Sequence, residues 1–405
     1  MIPSRFTSSA LIVSFLAVAC GDASPTAATF TAEPRSTRTP TTLPSPTATG
    51  SPDPSAMATL PSVSLPVCGQ PSRVGPSEMT LALVADWDGD WDIYRVRADG
   101  SGLVQITDNE TADNSPKWSP DGTKLAYVDD FTSSPRLVVA DAGGANAYIV
   151  APDTEVSSAL VWSPTGEHIV FRSIHDLFAV EVQTGKAVNL TGEAPFVVAE
   201  LPSFSPEGEQ MVMSAGMAES SGPPEDRLFI GRVDGSGLTE LSFPEGDANW
   251  PAWNPAKDEI LFEGVIRQDV GLYVATLDGA VRKLEAESIR LGSFPSWSPD
   301  GTMIGYVARG PVPTVSSPRS DSLRVALANE RVDEIVLQPA VGGEGGLEIS
   351  GYYWAPDNRH IAYGVRNASQ GSGMRDVFVF DICDGKPQLV VEGVTFSALS
   401  WRPLP

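Results

Sequence analysis

The chain has 405 residues, enough for one large domain or two ordinary ones. It carries 51 Asp and Glu against 27 Lys and Arg, a net charge of −24. Such a balance argues against sequence-independent nucleic-acid binding, where Lys and Arg must neutralise phosphates, and against docking on an anionic membrane surface.

Arg5 is the only charge before the apolar run ALIVSFLAVA at 10–19, and Cys20 follows. The run suits the core of an export signal and is short for a transmembrane span. LAVACG at 16–21 resembles a bacterial lipobox, with small residues before the cysteine and Ala17 where a larger aliphatic is usual. The resemblance implies a signal peptide over 1–20 and a lipid on Cys20; the alternative is an ordinary cleaved signal. Residues 21–66 are rich in Pro, Ser, Thr and Ala and have almost no large apolar side chains. They cannot bury a core and read as a tether that lifts residues 67–405 off an envelope membrane.

Two further cysteines, Cys68 and Cys383, lie near the two ends of that globular region. In an exported protein the pair suggests a disulfide, against the alternative of two free thiols.

The opening unit, 79–108, contains DWDGDWDIY at 86–94. Asp88-Gly89 is a hairpin-turn signal. A calcium-binding EF-hand loop counted from Asp86 would need Gly sixth and Glu twelfth; the chain has Trp91 and Arg97. The stretch therefore reads as a solvated hairpin tip, with a weak Ca2+ site on Asp86, Asp88 and Asp90 as the alternative. No other cofactor is expected. Trp87 and Trp91 at the tip are expected to be exposed and to contact a partner.

One phrase then recurs: SPKWSPDGTKLAYV, ALVWSPTGEHIVF, LPSFSPEGEQMVM, WPAWNPAKDEILF, FPSWSPDGTMIGYV, GYYWAPDNRHIAYG and a terminal ALSWRPLP. Its aromatic residues are Trp118, Trp162, Phe204, Trp253, Trp297, Trp354 and Trp401, spaced by 44, 42, 49, 44, 57 and 47 residues. Each unit parses into four short strands. One ends at the aromatic, and Pro and Gly make a tight turn after it. An alternating strand follows, then a variable loop, a third strand, a second Gly turn and a fourth strand. Four strands at this period are the signature of a β-propeller blade.

The Ser-Pro-Asp-Gly turn after tryptophan resembles the TolB-like, or WD-repeat-like, propellers over residues 79–405. The expected fold is all-β, a seven-bladed propeller of four-stranded antiparallel blades. The first unit lacks its first strand and the last motif lacks everything after it. The C-terminal strand should therefore complete the N-terminal blade and hide the sheet edges. A Cys68–Cys383 bridge is expected to pin the same seam.

Catalytic patterns are missing from the sequence. His168, His175 and His360 form no zinc-ligand spacing, and there is no G-x-S-x-G elbow. His168 and His360 occupy equivalent places after the turn and read as structural or solvated. GGEGG at 342–346 lacks the Lys and the strand–helix context of a phosphate loop.

Long insertions at 215–226, 308–321 and 366–376, and the connection 339–350, fall on the face opposite the Ser-Pro-Asp-Gly turns. Residues preceding each motif should line the central mouth on that face: Asp113, Asn114, Glu200, Asp247, Asn249, Trp250 and Tyr352. Acids and amides there suit a basic peptide segment or a cation, and the TolB-like resemblance implies docking of protein or peptide segments in the cell envelope. The expected function is thus a non-catalytic, lipid-anchored, monomeric propeller that binds a protein, peptide or other envelope component. The alternatives are a channel-centred enzyme of lyase or lactonase type, with or without a metal, and a spacer module without a defined ligand.

Overall fold

The computed structural model describes residues 65–69 and 74–404, except 152–153, 157, 175, 193–195, 200–201, 218–225, 243–245, 285–293, 309–320, 329–333, 338–348, 367–374 and 395. Cys20, the tether and most of the four long insertions lie outside them. Among the described residues the regular structure is strand, apart from a short 3-10 turn at Pro66–Gly69. No helix among them is long and apolar enough to cross a membrane.

The strands form seven antiparallel sheets, one for each sequence unit. The innermost strands, from blade 1 to blade 7, are Phe396–Trp401, Asn114–Trp118, Ser158–Trp162, Phe196–Ala199 with Ser203–Phe204, Gly246–Trp253, Ser296–Trp297 and Ile349–Trp354. Blade 1 is made from both ends of the globular region. Its inner strand pairs with Thr80–Ala85 in the register Leu81↔Trp401 and Ala82↔Ser400, and the Arg402 amide donates to the Thr80 carbonyl. The expected closure is present.

Strand alternation sends successive side chains to opposite faces, so each blade feeds two neighbours. In blade 1, Leu81, Leu83 and Tyr94 pack against Val377 and Val379 of blade 7, while Ala82, Val84 and Ile93 pack against Leu125 and Tyr127 of blade 2. Among the described residues there are seven such clusters, one at each junction. The core is thus a ring of sheet-on-sheet interfaces.

The repeated motif builds these interfaces. The indole Nε1 of Trp162, Trp297 and Trp401 donates to the carbonyl of Lys117, Ala252 and Tyr353, at 3.0, 2.9 and 2.9 Å. Each acceptor immediately precedes the motif tryptophan of the blade before. The turn that follows is closed by its own serine: Ser119 Oγ donates to Asp121 Oδ1 at 2.6 Å and accepts from the Lys124 amide at 2.9 Å. Gly122 takes the left-handed φ of 66° that the turn needs; in blade 7 Asn358 fills that role at 59°.

Cys68 and Cys383 are bonded, with Cα atoms 5.3 Å apart. The bridge does not sit on the closure seam. Leu65, Val67, Cys68 and Cys383 all join the cluster between blades 6 and 7, so the bridge straps the segment leading into blade 1 across blade 7.

Candidate functional site

In blades 2 and 5 the innermost strand is interrupted at the proline that stands two residues before the motif tryptophan. In blade 5, Asn249 pairs with Glu263 and Ala252 with Leu261, so Trp250 and Pro251 together face one residue. Blade 2 repeats this bulge between Asn114 and Lys117. The bulge gives the pre-proline residue a left-handed backbone: φ is 56° at Ser115, 54° at Trp250 and 46° at Phe294. Residues before proline favour extended conformations, so holding them here costs on the order of 1–3 kcal/mol each. Such a bulge re-aims the side chain it carries.

In blades 5 and 6 that side chain is aromatic. The rings of Trp250 and Phe294 meet edge to face, with centroids 4.7 Å apart at 69°. Trp250 remains 40% exposed, one of five large apolar side chains so open among the described residues. It stands midway along the innermost strand Gly246–Trp253 of blade 5.

The other expected mouth residues are placed differently. Asp113 and Asn114 are fully buried: Asp113 accepts from Asn109 Nδ2 at 2.7 Å and its amide donates to the Trp91 carbonyl at 2.6 Å. Asn114 Oδ1 accepts from the Ser115 amide and closes the bulge. Tyr352 is buried and its hydroxyl contacts Ser296 Oγ and the carbonyls of Phe294 and Gly305, tying blade 7 to blade 6. Burial pushes its phenol above the usual range. Asp247 and Asn249 are half-buried, and Asp247 Oδ1 accepts from the Asp226 amide of blade 4. Glu200 lies outside the described residues.

The tryptophans of the acidic hairpin are not free at its tip. Both are half-buried. Trp87 lies 4.6 Å from Tyr94 and packs on the blade 7–blade 1 cluster, while Trp91 lies 6.0 Å from Phe131 and packs on the blade 1–blade 2 cluster. The loop straddles two interfaces.

Between them, Asp88, Asp90 and Asp92 bring carboxylate oxygens within 4.8 Å of one another, and Asp86 falls outside this group. Asp92 is fully buried and its oxygens are engaged by Thr107 Oγ1 at 3.0 Å and Gln105 Nε2 at 2.9 Å. Gln105 Nε2 also reaches Asp88 at 3.1 Å. Blade 3 repeats the staple without the extra acids: Asp176 accepts from Thr191 Oγ1 and Asn189 Nδ2, and Thr191 accepts from the Leu177 amide as Thr107 does from Ile93. Asp92 is therefore part of the blade framework. Burial pushes its carboxyl up to about 8; the Thr107 hydrogen bond opposes this and the charges of Asp88 and Asp90 add to it.

His360 is buried on the turn side of blade 7, with Nδ1 2.6 Å from Asp357 Oδ2. Arg359 binds Asp381 through Nε and a terminal nitrogen at 2.8 and 2.7 Å. The histidine is structural, as its place after the turn suggests. His168 is half-buried beside its own turn, and His175 lies outside the described residues.

Sequence reasoning passed over Lys117. It precedes the motif tryptophan of blade 2, and its Nζ lies 5.2 Å from the ring centroid of Tyr353 in blade 7. Burial pulls its ammonium down to about 8. The signal was present in SPKWSPDG: a cation where the other repeats carry small or uncharged residues.

Comparison with known proteins agrees with the architecture. The TolB beta propeller domain family matches residues 63–257. A TolB homologue of Chlorobium luteolum is 40% identical over 63 residues, covering 16% of this chain and 14% of that protein. The Tol-Pal system protein TolB of Francisella tularensis is 25% identical over 198 residues, covering 46% and 44%. The chain thus spans less than half the length of either relative. Among solved structures, TolB from Acinetobacter baumannii aligns with a TM-score of 0.50 at 14% identity, over 82% of this chain and 68% of that one. An oligogalacturonate lyase in complex with manganese aligns with a TM-score of 0.55 at 15% identity, over 78% and 84%. At such identities the structural likeness is one of fold.

Proposed function

As the globular part of this chain is a TolB-like β-propeller, we propose that it is a non-catalytic binding module of the bacterial cell envelope, taking a protein or peptide segment at the loop-rich mouth of its channel. The observation that carries this reading is the pair Trp250 and Phe294. Two aromatic side chains are held on left-handed backbone, packed on each other, with Trp250 left open to solvent. A fold that keeps strained backbone to present an apolar ring gains nothing in packing from its exposed part. Exposed, pre-positioned aromatics are the usual anchors of an interface. Half-buried Asp247 and Asn249 on the same strand add polar groups beside the rings.

The leader fits this reading. A lipid on Cys20 and the tether over 21–66 would hold the propeller at an envelope membrane as a monomer, facing its partner without spanning the bilayer. The relatives that carry the TolB name support an envelope location.

The test is capture from native envelope extract with wild-type chain and with Trp250→Ala, Phe294→Ala as bait. Loss of a specific partner with an unchanged melting temperature is the expected result. Equal capture by the double variant would remove the mouth assignment. In labelled envelope fractions, Cys20→Ser is expected to abolish incorporation of fatty acid and release the chain to the soluble fraction.

A further inference from the structure

The residue just before each motif aromatic belongs to an innermost strand. In six blades it is Ser400, Val161, Ser203, Ala252, Ser296 or Tyr353; in blade 2 it is Lys117. The hydroxyls of Ser400 and Ser203 accept the amides of Trp118 and Trp253 in the next blade. Lys117 behaves otherwise. Its Nζ reaches the ring of Tyr353, which belongs to blade 7, so the side chain passes in front of the blade 1 inner strand that lies between. That route runs through the channel.

Lys117 makes no ion pair among the described residues, whereas Lys124, Lys283, Arg136, Arg227 and Arg359 each have a carboxylate within 4.0 Å. Lys186, Lys257 and Lys386 also make no ion pair among the described residues, but they are exposed, whereas Lys117 is half-buried. Burial pulls its ammonium down, and no carboxylate among the described residues lies within ion-pair distance of it. Tyr353 steadies the ammonium through its ring face but gives that contact no hydrogen-bond acceptor. An ammonium brings three donors, and a half-buried charge without a counter-charge gains from an anion that reaches it.

We propose that the channel holds a carboxylate on Lys117, so that the ligand received by this propeller presents an acid group inward. A carboxylate matches one ammonium charge for charge. A dianion such as phosphate would be left with an uncompensated charge inside a protein of net charge −24. The acid is either the terminus or side chain of a peptide or a free carboxylic acid. The peptide arm rests on the proposed mouth; the small-acid arm does not.

The experiment is calorimetric titration of the full-length chain with phenylacetate, the tripeptide Ala-Ala-Phe and its C-terminal amide. The expected result is that both free acids bind and that the amide binds at least tenfold more weakly. Lys117→Met should lose at least tenfold affinity for the acids and melt no lower than wild type, since an unpaired charge has been removed. NMR of isotopically methylated lysines gives a second readout, independent of any variant: phenylacetate should raise the Lys117 pKa by about one unit. Equal binding of acid and amide, no binding of either acid, or an unmoved Lys117 resonance would overturn the proposal. Phenylacetate binding with no tripeptide binding would uphold the carboxylate site and sink the peptide reading of the mouth. Tripeptide binding that falls in Trp250→Ala, with phenylacetate unaffected, would uphold both.

Discussion

The innermost strands of blades 2 and 5 are the same object with two side chains exchanged. Both carry the bulge before proline, both hold the pre-proline residue near φ 55°, and both end on a buried tryptophan. In blade 5 the bulge displays Trp250 and the next position is Ala252; in blade 2 it displays Ser115 and the next position is Lys117. One strand carries an exposed aromatic, the other a half-buried lysine without an ion pair among the described residues. The framework is indifferent to these two positions, and a propeller can therefore change its ligand without changing its fold.

The framework residues should show the opposite behaviour, and Trp297 is the sharpest case. It is buried between blades 5 and 6 and donates to the Ala252 carbonyl, so Trp297→Ala loses both the packing and the bond. The expected cost is about 3–5 kcal/mol, read as a shifted urea midpoint. A cost under about 1 kcal/mol would break the contrast between motif and mouth tryptophans. Next in size is the strap: Cys68→Ser with Cys383→Ser should cost about 2–5 kcal/mol and free the leading segment to proteolysis without opening blade 1, because the bridge lies on the blade 6–blade 7 cluster.

The two buried acid clusters give opposite pH dependence. At Asp357 and Asp381 burial alone would raise the carboxyls, but hydrogen bonds, from His360 and from Arg359 respectively, outweigh it and hold both below the ordinary range. Their contribution is present above the unfolded value of 3.8 and is lost as pH falls through the lower folded values. Asp92 runs the other way. Its folded value of about 8 lies above 3.8, so its contribution is full below 3.8 and is lost as pH rises through 8. Asp92→Asn removes that titration. The melting temperature of the variant relative to wild type should rise steadily from pH 5 to pH 8 and level off above it; a constant difference across that range would show that Asp92 is not the proton-holding group.

Much of the fold was legible because it repeats. The Pro and Gly of each turn, the alternating strand after it and the spacing of the aromatics are local signals, and seven copies leave one way to close the ring. The site was less legible because a bulge breaks the local rule. Residues before each motif were expected at the mouth. The extra residue displays only the pre-proline side chain and folds Asp113 and Asn114 underneath, where they close the loop. Tyr352 went inward for another reason: three partners in blade 6 compete for its hydroxyl. Trp87 and Trp91 read as a bare tip, but the hairpin spans two blade junctions and each ring has an apolar face to cover. Lys117 escaped notice because its meaning depends on Tyr353, more than 200 residues away in sequence.

The smallest expected effect is the most informative about the mouth. Trp250→Gly removes an exposed ring and replaces a strained residue with the one that accepts positive φ without penalty. Relief of the backbone strain and the greater freedom of glycine in the unfolded chain act in opposite directions, each by about 1 kcal/mol. The net change in stability should be within about 0.5 kcal/mol of zero, and the Phe294 ring should lose its neighbour without loss of the blade 5–blade 6 cluster, to which neither ring belongs. Ligand capture should nevertheless fall as far as in Trp250→Ala. If stability fell by 2 kcal/mol or more, a change of the size seen for framework positions, Trp250 would be a packing residue like Trp297 and the difference between the two strands would be one of exposure alone.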